Sequence, residues 1–484
     1  MKIMHLKKRL FALSLSCINL LLCACGGEDH SSEMGLQIVA PPPDNLLAPI
    51  ASPFDVATKR GQIISATVQG KVSQAEIDAS VDPDEAPLIG DKAKCNVMVI
   101  KLIYATIGPV DQAVQASAGL LMPIANGDNC KAPFPLVVSN HGTNVFEGFS
   151  QTSPKDGSVL NASAYYASQG YAVVLPDYLG YGASTLDYHP NLHAENSAAV
   201  VIDAVRAARA WFSNKKIALN GKLFLAGTSE GGYVTMTTQR VMERDFPNEF
   251  KLTAVMAASG PYNTTMTMDM FMAQPDEQDS SKTLHATMFI TALQKTYLDI
   301  YSDPIQVFNA PWNLTVENLI PGTNSESELF TKCHLPYNLK DYPSRVYPGC
   351  DPTTDSIPLL QANFVSDYLQ KSNDLLTPAS RARAHVEQQN LLKDWTPKAI
   401  LGVCYGTPDN MATPNALSAQ AYFTQRGYQL LRMENVETET TEPIKTWIAT
   451  QEPKHPDGFG YHGKVEAPAC VSWARHQIFD PLAH

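Results

Sequence analysis

The sequence lacks the features that mark several large classes of protein. After residue 25, no stretch is both long enough and apolar enough to span a membrane. Basic residues are in the minority, with 36 Lys and Arg against 48 Asp and Glu, and the net charge of −12 argues against a nucleic-acid partner. There is no internal repeat, and the cysteines and histidines show no metal-ligand spacing. We therefore expect no metal site and no nucleic-acid partner.

The first residues are typical of a targeting segment and not of a folded domain. Four basic residues among the first nine precede a short apolar run, Leu10–Leu22. The motif LCACG at residues 22–26 resembles a bacterial lipoprotein processing site, which predicts removal of residues 1–24 and lipidation of Cys25. An ordinary secretory signal is the alternative. Either signal predicts export, and lipidation predicts an outer-membrane lipoprotein that faces the periplasm or the cell surface.

A tether and one folded domain are expected to follow the targeting segment. Residues 25–51 are polar and rich in proline, which is typical of a flexible tether, and residues 52–484 are left for the domain. Without residues 1–24 the chain keeps 32 basic and 48 acidic residues, a net charge of about −16. This acidic balance fits an exported enzyme whose only expected membrane contact is the lipid anchor.

Six cysteines remain beyond Cys25, and an even number in an exported chain favours disulfides. Six cysteines allow fifteen pairings, so the sequence alone leaves the connectivity open. The pairs that we favour are Cys95–Cys130, Cys333–Cys350 and Cys404–Cys470. A buried free thiol in a core strand is the alternative for Cys404.

Strand and helix patterns alternate along the domain, which predicts an α/β fold with a mostly parallel central sheet and helices on both faces. The predicted strands are Val97–Thr106, Ala116–Pro123, Phe134–Val138, Tyr171–Leu175, Leu223–Ala226, Leu252–Ala257 and Ala399–Cys404. Predicted helices include Ser163–Gly170, which ends at a glycine, and Ala194–Phe212, which has one apolar face.

The stretch from about Thr264 to Pro397 interrupts this alternation. It has little strand signal and contains helical patterns such as Leu284–Ile300 and Asp355–Gln370. We expect a helical lid inserted between two strands of the sheet. Its first segment holds four methionines at every second position from 266 to 272, which either form an adaptable wall for a substrate or fill gaps in the core.

The most informative motif is Gly-x-Ser-x-Gly at residues 227–231, directly after the apolar run Leu223–Ala226. A serine nucleophile needs its hydroxyl raised on a sharp turn between a strand and a helix. Glycines at 227 and 231 remove the β-carbons that would clash in such a turn. The pattern therefore predicts that Ser229 is a nucleophile, although a glycine-rich corner without chemistry is the alternative.

A serine hydroxyl needs a base, and the base needs an acid that orients it. In enzymes built on this turn, the acid and then the histidine follow the serine along the chain. Asp409 comes just after the strand Ala399–Cys404, at the edge of the sheet where active sites form, so we favour it over a plain turn aspartate. For the base we favour His462, which we place in a loop before a helix over Ala467–Phe479. His455 is its main rival.

The oxyanion of an acyl-transfer intermediate needs two backbone N–H donors. The residue after the nucleophile, Glu230, is expected to supply one of them. Thr143 or Gly142, in the loop after the strand Phe134–Val138, is expected to supply the other. His141 and Asp177 both precede Ser229, which is the wrong order for a base and an acid, so we expect structural roles for them.

Together these residues resemble the α/β-hydrolase superfamily, and within it the chain is similar to LIP-type secreted lipases and esterases and their bacterial relatives. The segments that carry the resemblance are 141–143, 176–180, 189–193, 227–232 and 394–397. The resemblance implies hydrolysis of carboxylic esters, from small molecules or lipids, through an acyl-enzyme under a helical lid and without a cofactor. A serine peptidase of the same fold and a non-catalytic surface binding module are the alternatives.

Overall fold

Nine strands form one sheet in the computed structural model, which describes residues 59–274, 280–341, 346–438, 441–456 and 458–484. The strands are β1 (Ile63–Val72), β2 (Asn96–Ile107), β3 (Ala113–Ile124), β4 (Phe134–Asn140), β5 (Ala172–Pro176), β6 (Leu219–Thr228), β7 (Ala254–Ala258), β8 (Ile400–Tyr405) and β9 (Leu431–Asn435). The predicted targeting segment, Cys25 and the tether lie outside the described residues.

Helices occupy most of the remaining described chain. The α-helices are α1 (Gln74–Ser80), α2 (Ala86–Ile89), α3 (Gly157–Tyr165), α4 (Ala194–Asn214), α5 (Glu230–Asp245), α6 (Thr264–Ala273), α7 (Ser281–Tyr297), α8 (Glu326–Thr331), α9 (Pro352–Asp355), α10 (Ala362–Leu369), α11 (Pro378–Gln388), α12 (Ala412–Gln425), α13 (Ile444–Gln451), α14 (Gly458–Tyr461) and α15 (Ala467–Trp473). Within the described residues, none of the helices combines the length and the apolar character that a membrane crossing requires.

The strand order is β1-β2-β3-β5-β4-β6-β7-β8-β9. The first three strands are antiparallel, and β3 also pairs antiparallel with β5. From β5 to β9 every pairing is parallel. Strands β5 and β7 are apolar throughout, and every residue of both is buried because helices cover both faces of the sheet. The predicted α/β fold with a mostly parallel sheet is confirmed.

Two hydrophobic cores lie on opposite faces of the sheet. Helices α4, α5 and α12 pack on one face, where the predicted apolar stripe of α4 (Val201, Val205 and Phe212) is fully buried. Helices α3, α13 and α15 contribute to the core on the other face. The sheet is therefore the middle of three layers.

All seven predicted strands are present, with ends that shift by a few residues. The prediction omitted the two edge strands, β1 and β9. An edge strand has fewer apolar positions because part of it faces water, and Ile64 and Val68 of β1 are indeed exposed. Their sequences therefore lack the apolar run that marks the central strands.

Two predicted helices are wrong in their bounds. The helix expected over 163–170 starts earlier, because Asp156 accepts the N–H groups of Ser158 and Val159 and so begins α3 at Gly157. The helix expected over 355–370 is two helices, α9 and α10. Pro358 lies between them and disfavours a helical conformation in the residue before it.

The chain between β7 and β8 forms a helical insertion with its own buried core. Helices α6 to α11 lie in this stretch, and the described part of it contains no strand. Phe308, Leu335 and Tyr368 are among the side chains that its core buries. The described chain between these two strands is therefore helical, and its action as a lid stays a prediction.

The structure contains disulfides Cys95–Cys130, Cys333–Cys350 and Cys404–Cys470, which is the pairing favoured from the sequence. Cys404 is thus bonded, and the alternative of a free thiol at this position is wrong. The second bridge lies within the helical insertion. Three disulfides fit an exported protein, because reducing compartments keep thiols free.

Candidate active site

Ser229 lies at a sharp turn between β6 and α5. Its backbone has φ 60° and ψ −127°, a conformation that is costly for a residue with a β-carbon. The turn is held because Ser229 N–H donates to the Ala258 carbonyl of β7 at 2.9 Å, and the Ser229 carbonyl accepts from Gly232 N–H at 2.9 Å. This is the strand-to-helix turn that a nucleophile requires.

The glycines around Ser229 are needed because the backbone of the turn packs against neighbouring strands. A β-carbon on Gly231 would overlap the carbonyl oxygen of Asn140 at the end of β4. A β-carbon on Gly227 would overlap the carbonyl oxygen of Gly231. A side chain at 231 would push the turn away from β4, and one at 227 would push α5 away from β6, so both close contacts depend on glycine.

Asp409 lies in the turn between β8 and α12 and is 5% exposed. Its Oδ1 accepts the N–H groups of Met411 at 2.9 Å and Ala412 at 2.6 Å, which fixes the orientation of the carboxylate. Burial raises the pKa of Asp409, but the hydrogen bond and positive charge of His462 outweigh burial and leave this pKa below its ordinary value. Asp409 is therefore a buried carboxylate.

His462 contacts Asp409 through its Nδ1 nitrogen, which donates to Asp409 Oδ2 at 2.5 Å. A neutral imidazole that carries its proton on Nδ1 has on Nε2 a lone pair that can accept a proton. This is the tautomer that a general base needs, and the contact with the acid selects it.

The predicted loop placement of His462 is wrong. The residue begins a π-helical turn, His462–Glu466, that joins α14 to α15 in one continuous helical segment. Glycines at 460 and 463 indicated a loop, but tertiary packing overrides them because Tyr461 and Val465 are fully buried. A π-helical turn within a longer helix is frequent at functional sites.

Ser229, Asp409 and His462 line one cavity of about 1050 Å³, a volume that includes space open to solvent. Among the described residues that line it, the histidines are His462 and His285, and only His462 contacts Asp409. His455, the rival base, does not line this cavity.

The insertion supplies an apolar wall of the same cavity. Met268, Met270 and Phe271 come from α6, and Phe289 comes from α7. Both readings of the four methionines therefore hold in part. Met268 and Met270 line the cavity, and Met266 lines a separate groove that Met270 also borders. Met268 and Met272 are buried in the core of the insertion.

Gly142 and Thr143 lie beside the nucleophile, as the oxyanion prediction requires. A β-carbon on Gly142 would lie 3.5 Å from the Ser229 β-carbon, and Thr143 lines the cavity. His141 Nδ1 donates to the Gly142 carbonyl at 2.7 Å. Because the N–H and C=O of a trans peptide point in opposite directions, the Thr143 N–H points away from the imidazole of His141.

The imidazole of His141 packs against the aromatic rings of Tyr178 and Phe149. Its ring stacks on Tyr178 with 3.9 Å between centroids, and Phe149 packs against it at 4.6 Å. Burial lowers the pKa of His141 to about 4, so the ring is neutral at neutral pH. His141 therefore shapes the loop that presents Gly142 and Thr143.

The side chain of Glu230 makes a contact that the sequence analysis missed. His189 Nε2 lies 2.6 Å from Glu230 Oε1, and both groups are buried. Burial raises the pKa of Glu230, but the charge and hydrogen bond of His189 outweigh burial. The pKa of Glu230 therefore lies below its ordinary value. No sequence signal links these residues, because 41 positions separate them.

Glu466 is a second acid that the sequence analysis missed. It is fully buried, its Oε2 lies 4.0 Å from His462 Nδ1, and its Oε1 accepts a hydrogen bond from Ser259. The four-residue spacing from His462 is a signal for contact on a helix. That signal was lost because a loop was predicted there.

Asp177 has the structural role that its position in the chain predicted. It is fully buried and accepts hydrogen bonds from Ser117 Oγ at 2.6 Å, Gln151 N–H at 2.6 Å and Ser150 Oγ at 3.0 Å. These bonds tie the loop after β5 to β3 and to the segment before α3.

Replacing Asp177 with alanine is expected to lower the free energy of unfolding by about 3 kcal/mol, because three buried donors lose their acceptor. Urea unfolding with the disulfides intact measures the change. Asp177→Asn, which keeps a carbonyl acceptor, is the matched control and is expected to lose less. A fully stable Asp177→Ala variant would contradict the structural role.

The Cys404–Cys470 disulfide links the strand before Asp409 to the helical segment that contains His462. Cys404 is in β8, five residues before Asp409, and Cys470 is in α15, the helix that continues from His462. Both cysteines are fully buried. A covalent link therefore holds the two segments beside each other.

Solved structures share this arrangement of strands and helices. A ligand-bound form of the rice cell wall degrading esterase LipA from Xanthomonas oryzae is 31% identical, with a TM-score of 0.70 over 87% of this chain and 99% of that chain. A Legionella pneumophila protein is 23% identical, with a TM-score of 0.64 over 77% and 91% of the two chains. Candida antarctica lipase A is 15% identical, with a TM-score of 0.52 over 80% and 81%. The last two likenesses concern the fold alone.

Sequence comparisons give a second result. Residues 158–296 match the model of the prolyl oligopeptidase family, which covers α3 to α7 and includes Ser229. No curated protein sequence matches the chain. The structural relatives extend over most of the chain, whereas the family model covers less than a third of it.

Proposed function

The chain belongs to the α/β-hydrolase superfamily and, within it, to the family of the Xanthomonas oryzae esterase LipA, and from this premise we propose that it is a serine hydrolase of carboxylic esters. One observation carries the proposal. Ser229 stands on a strand-to-helix turn in the cavity where His462 is bound through Nδ1 to Asp409. This pairing of groups makes a serine hydroxyl reactive.

The proposed reaction proceeds through an acyl-enzyme. Ser229 Oγ attacks the ester carbonyl while His462 Nε2 takes the hydroxyl proton, and Asp409 stabilises the imidazolium that forms. The backbone N–H groups of Glu230 and of Thr143 or Gly142 bind the oxyanion. The imidazolium then gives its proton to the leaving alcohol. Water, activated by the same imidazole, hydrolyses the acyl-enzyme and regenerates the serine. No step in this scheme uses a cofactor.

The apolar wall from α6 and α7 favours binding of an apolar group. We therefore infer that the acyl chain is the part of the substrate that enters the cavity. Met268, Phe271 and Phe289 offer carbon surface, and burial of each methylene contributes about 0.8 kcal/mol. We propose that the insertion acts as a lid over this acyl site and that the substrate is a small-molecule or lipid ester.

Replacing Met270 with tryptophan is expected to shorten the preferred acyl chain, because the larger ring fills space along the cavity wall. The ratio of kcat/KM for p-nitrophenyl octanoate to that for the acetate is expected to fall about 10-fold. Met266→Trp is the matched control, since Met266 is on the same helix and lines the separate groove that Met270 also borders, but does not line the cavity. An equal effect of both variants would contradict an acyl site on this wall.

A serine peptidase is the second candidate, because the prolyl oligopeptidase model matches the segment around Ser229. The test has two parts. A fluorophosphonate probe is expected to modify the tryptic peptide that contains Ser229, and paired ester and amide substrates of the same acyl group are then compared by kcat/KM. Preference for the amide would favour the peptidase. Absence of labelling in folded protein would favour a non-catalytic binding module.

We also propose that the protein is an exported lipoprotein, anchored through an acylated Cys25 after loss of residues 1–24. The three disulfides support export. The lipid on Cys25 would hold the protein at a membrane surface. Residues 25–51 would form the tether, and the proposed domain from residue 52 would act on the substrate. The acidic charge of the chain supports the absence of a nucleic-acid partner.

A further inference from the structure

Among the described residues, Glu466 is a buried acid beside the Asp409–His462 pair that the proposed reaction does not use. One side-chain oxygen or nitrogen atom from each of Asp409, His462 and Glu466 lies within 4.8 Å of the other two. All three side chains are buried, and Glu466 is fully so. Two negative carboxylates at this distance in a buried site repel each other strongly, so one of them is expected to hold a proton.

The hydrogen bonds show which carboxyl is ionised. Asp409 accepts N–H groups at both of its oxygens, two from the backbone at Oδ1 and one from His462 at Oδ2. Glu466 Oε1 accepts from Ser259, but Oε2 has no donor and faces the other acid. A proton on Glu466 turns this repulsive contact into a hydrogen bond to Asp409.

Ser259 holds Glu466 in place at the end of β7. Its backbone has φ 55°, which is unfavourable for serine, and its N–H donates to the Cys404 carbonyl of β8 at 3.0 Å. The glutamate is thus fixed by Ser259 at the end of β7 as well as by its own helical segment.

We propose that Glu466 is a positioning residue for the proposed hydrolase, in which its neutral carboxyl group donates a hydrogen bond to Asp409 and holds that carboxylate against His462. The inference rests on the proposed function of Asp409 and His462. Burial raises the pKa of Glu466 well above its ordinary value, and the negative charge of Asp409 raises it further.

The other groups that face Glu466 agree with a neutral carboxyl. They are Asp409 from the turn after β8, His462 and Tyr461 from its own helical segment, and Tyr262 from the segment after β7. Burial raises the pKa of both tyrosines, so they stay neutral. No lysine or arginine is among these facing groups of the described chain, so no fixed cation favours an ionised Glu466.

The test compares Glu466→Gln with Glu466→Leu by the pH dependence of kcat/KM for an ester. Glutamine keeps an N–H donor and is neutral, so it is expected to lower kcat/KM by less than about 10-fold and to leave the midpoint of the acid limb within about 0.3 pH unit. Leucine removes the donor and is expected to lower kcat/KM about 100-fold. Rescue by glutamine but not by leucine separates positioning from packing.

An ionised Glu466 gives a different result. Glu466→Gln would then remove a negative charge 4.0 Å from His462 Nδ1, and the imidazole would lose a group that favours its protonated form. The acid limb would move to lower pH by more than about one unit. That shift would overturn the proposal, as would equal activities of the glutamine and leucine variants.

A second measurement needs no turnover. In the Ser229→Ala background, infrared difference spectra between Glu466 and Glu466→Gln proteins are expected to show loss of the carbonyl band of a neutral carboxyl group. Glu76→Gln, which replaces an exposed carboxylate on α1, is the control and is expected to leave that band unchanged. If no neutral carboxyl band is lost, Glu466 is ionised and the proposal fails, whether or not the protein cleaves esters.

Discussion

Replacing Ser229 with alanine is expected to lower kcat/KM for p-nitrophenyl esters by a factor of about 10⁴ or more. Alanine keeps the β-carbon and removes only the hydroxyl, so the strand-to-helix turn and its hydrogen bonds to β7 are preserved. The loss therefore measures the nucleophile and not the fold. Steady-state hydrolysis by the purified protein gives the rate, and thermal unfolding verifies that the variant is folded.

Ser366→Ala is the matched control, because Ser366 is an exposed serine on α10 in the insertion. It is expected to retain the activity of the parent protein. A Ser229→Ala protein that keeps full turnover would reject the proposed mechanism, and the search for a nucleophile would then move elsewhere in the cavity.

Replacing His462 with alanine is expected to cause a loss of similar size, about 10⁴-fold or more, because the serine then has no base. His455→Ala tests the rival histidine on the same C-terminal segment and is expected to have a small effect, since His455 does not line the cavity. Hydrolysis of the same ester by the two variants, measured side by side, decides between the bases.

Asp409→Asn completes the comparison. An amide at this position has the same size as the carboxylate but no longer selects the His462 tautomer that carries its proton on Nδ1. We therefore expect kcat to fall about 10⁴-fold. If His455→Ala were the damaging variant and His462→Ala the mild one, the contact between Asp409 and His462 would be structural and the assignment of the base would be wrong.

The sequence predicted the parts of the site that depend on local structure. The turn at Ser229 is marked by a run of apolar residues and by glycines that the close backbone contacts require. Asp409, which the structure places in contact with His462, could be singled out because it lies just after a strand and because the order of the groups restricts the search. The central strands were predicted for the same reason, since their burial on both faces leaves an apolar run in the sequence.

Features that depend on distant residues were not predicted. The contact between His189 and Glu230 and the contact between Ser259 and Glu466 join residues that are far apart in the chain. The helical conformation of His462 was also missed, because burial of Tyr461 and Val465 outweighs the loop preference of two glycines. Local propensity is a weak guide where tertiary packing decides the conformation.

The disulfide between Cys404 and Cys470 makes the alignment of Asp409 and His462 depend on the redox conditions around the protein. Where glutathione keeps thiols reduced, only packing and hydrogen bonds hold β8 to the C-terminal helix. After oxidation the two elements are fixed to each other. If the chain is the exported ester hydrolase that we propose, it is expected to reach full activity only where this bridge forms, and the esters of the cell that makes it would then be spared during synthesis.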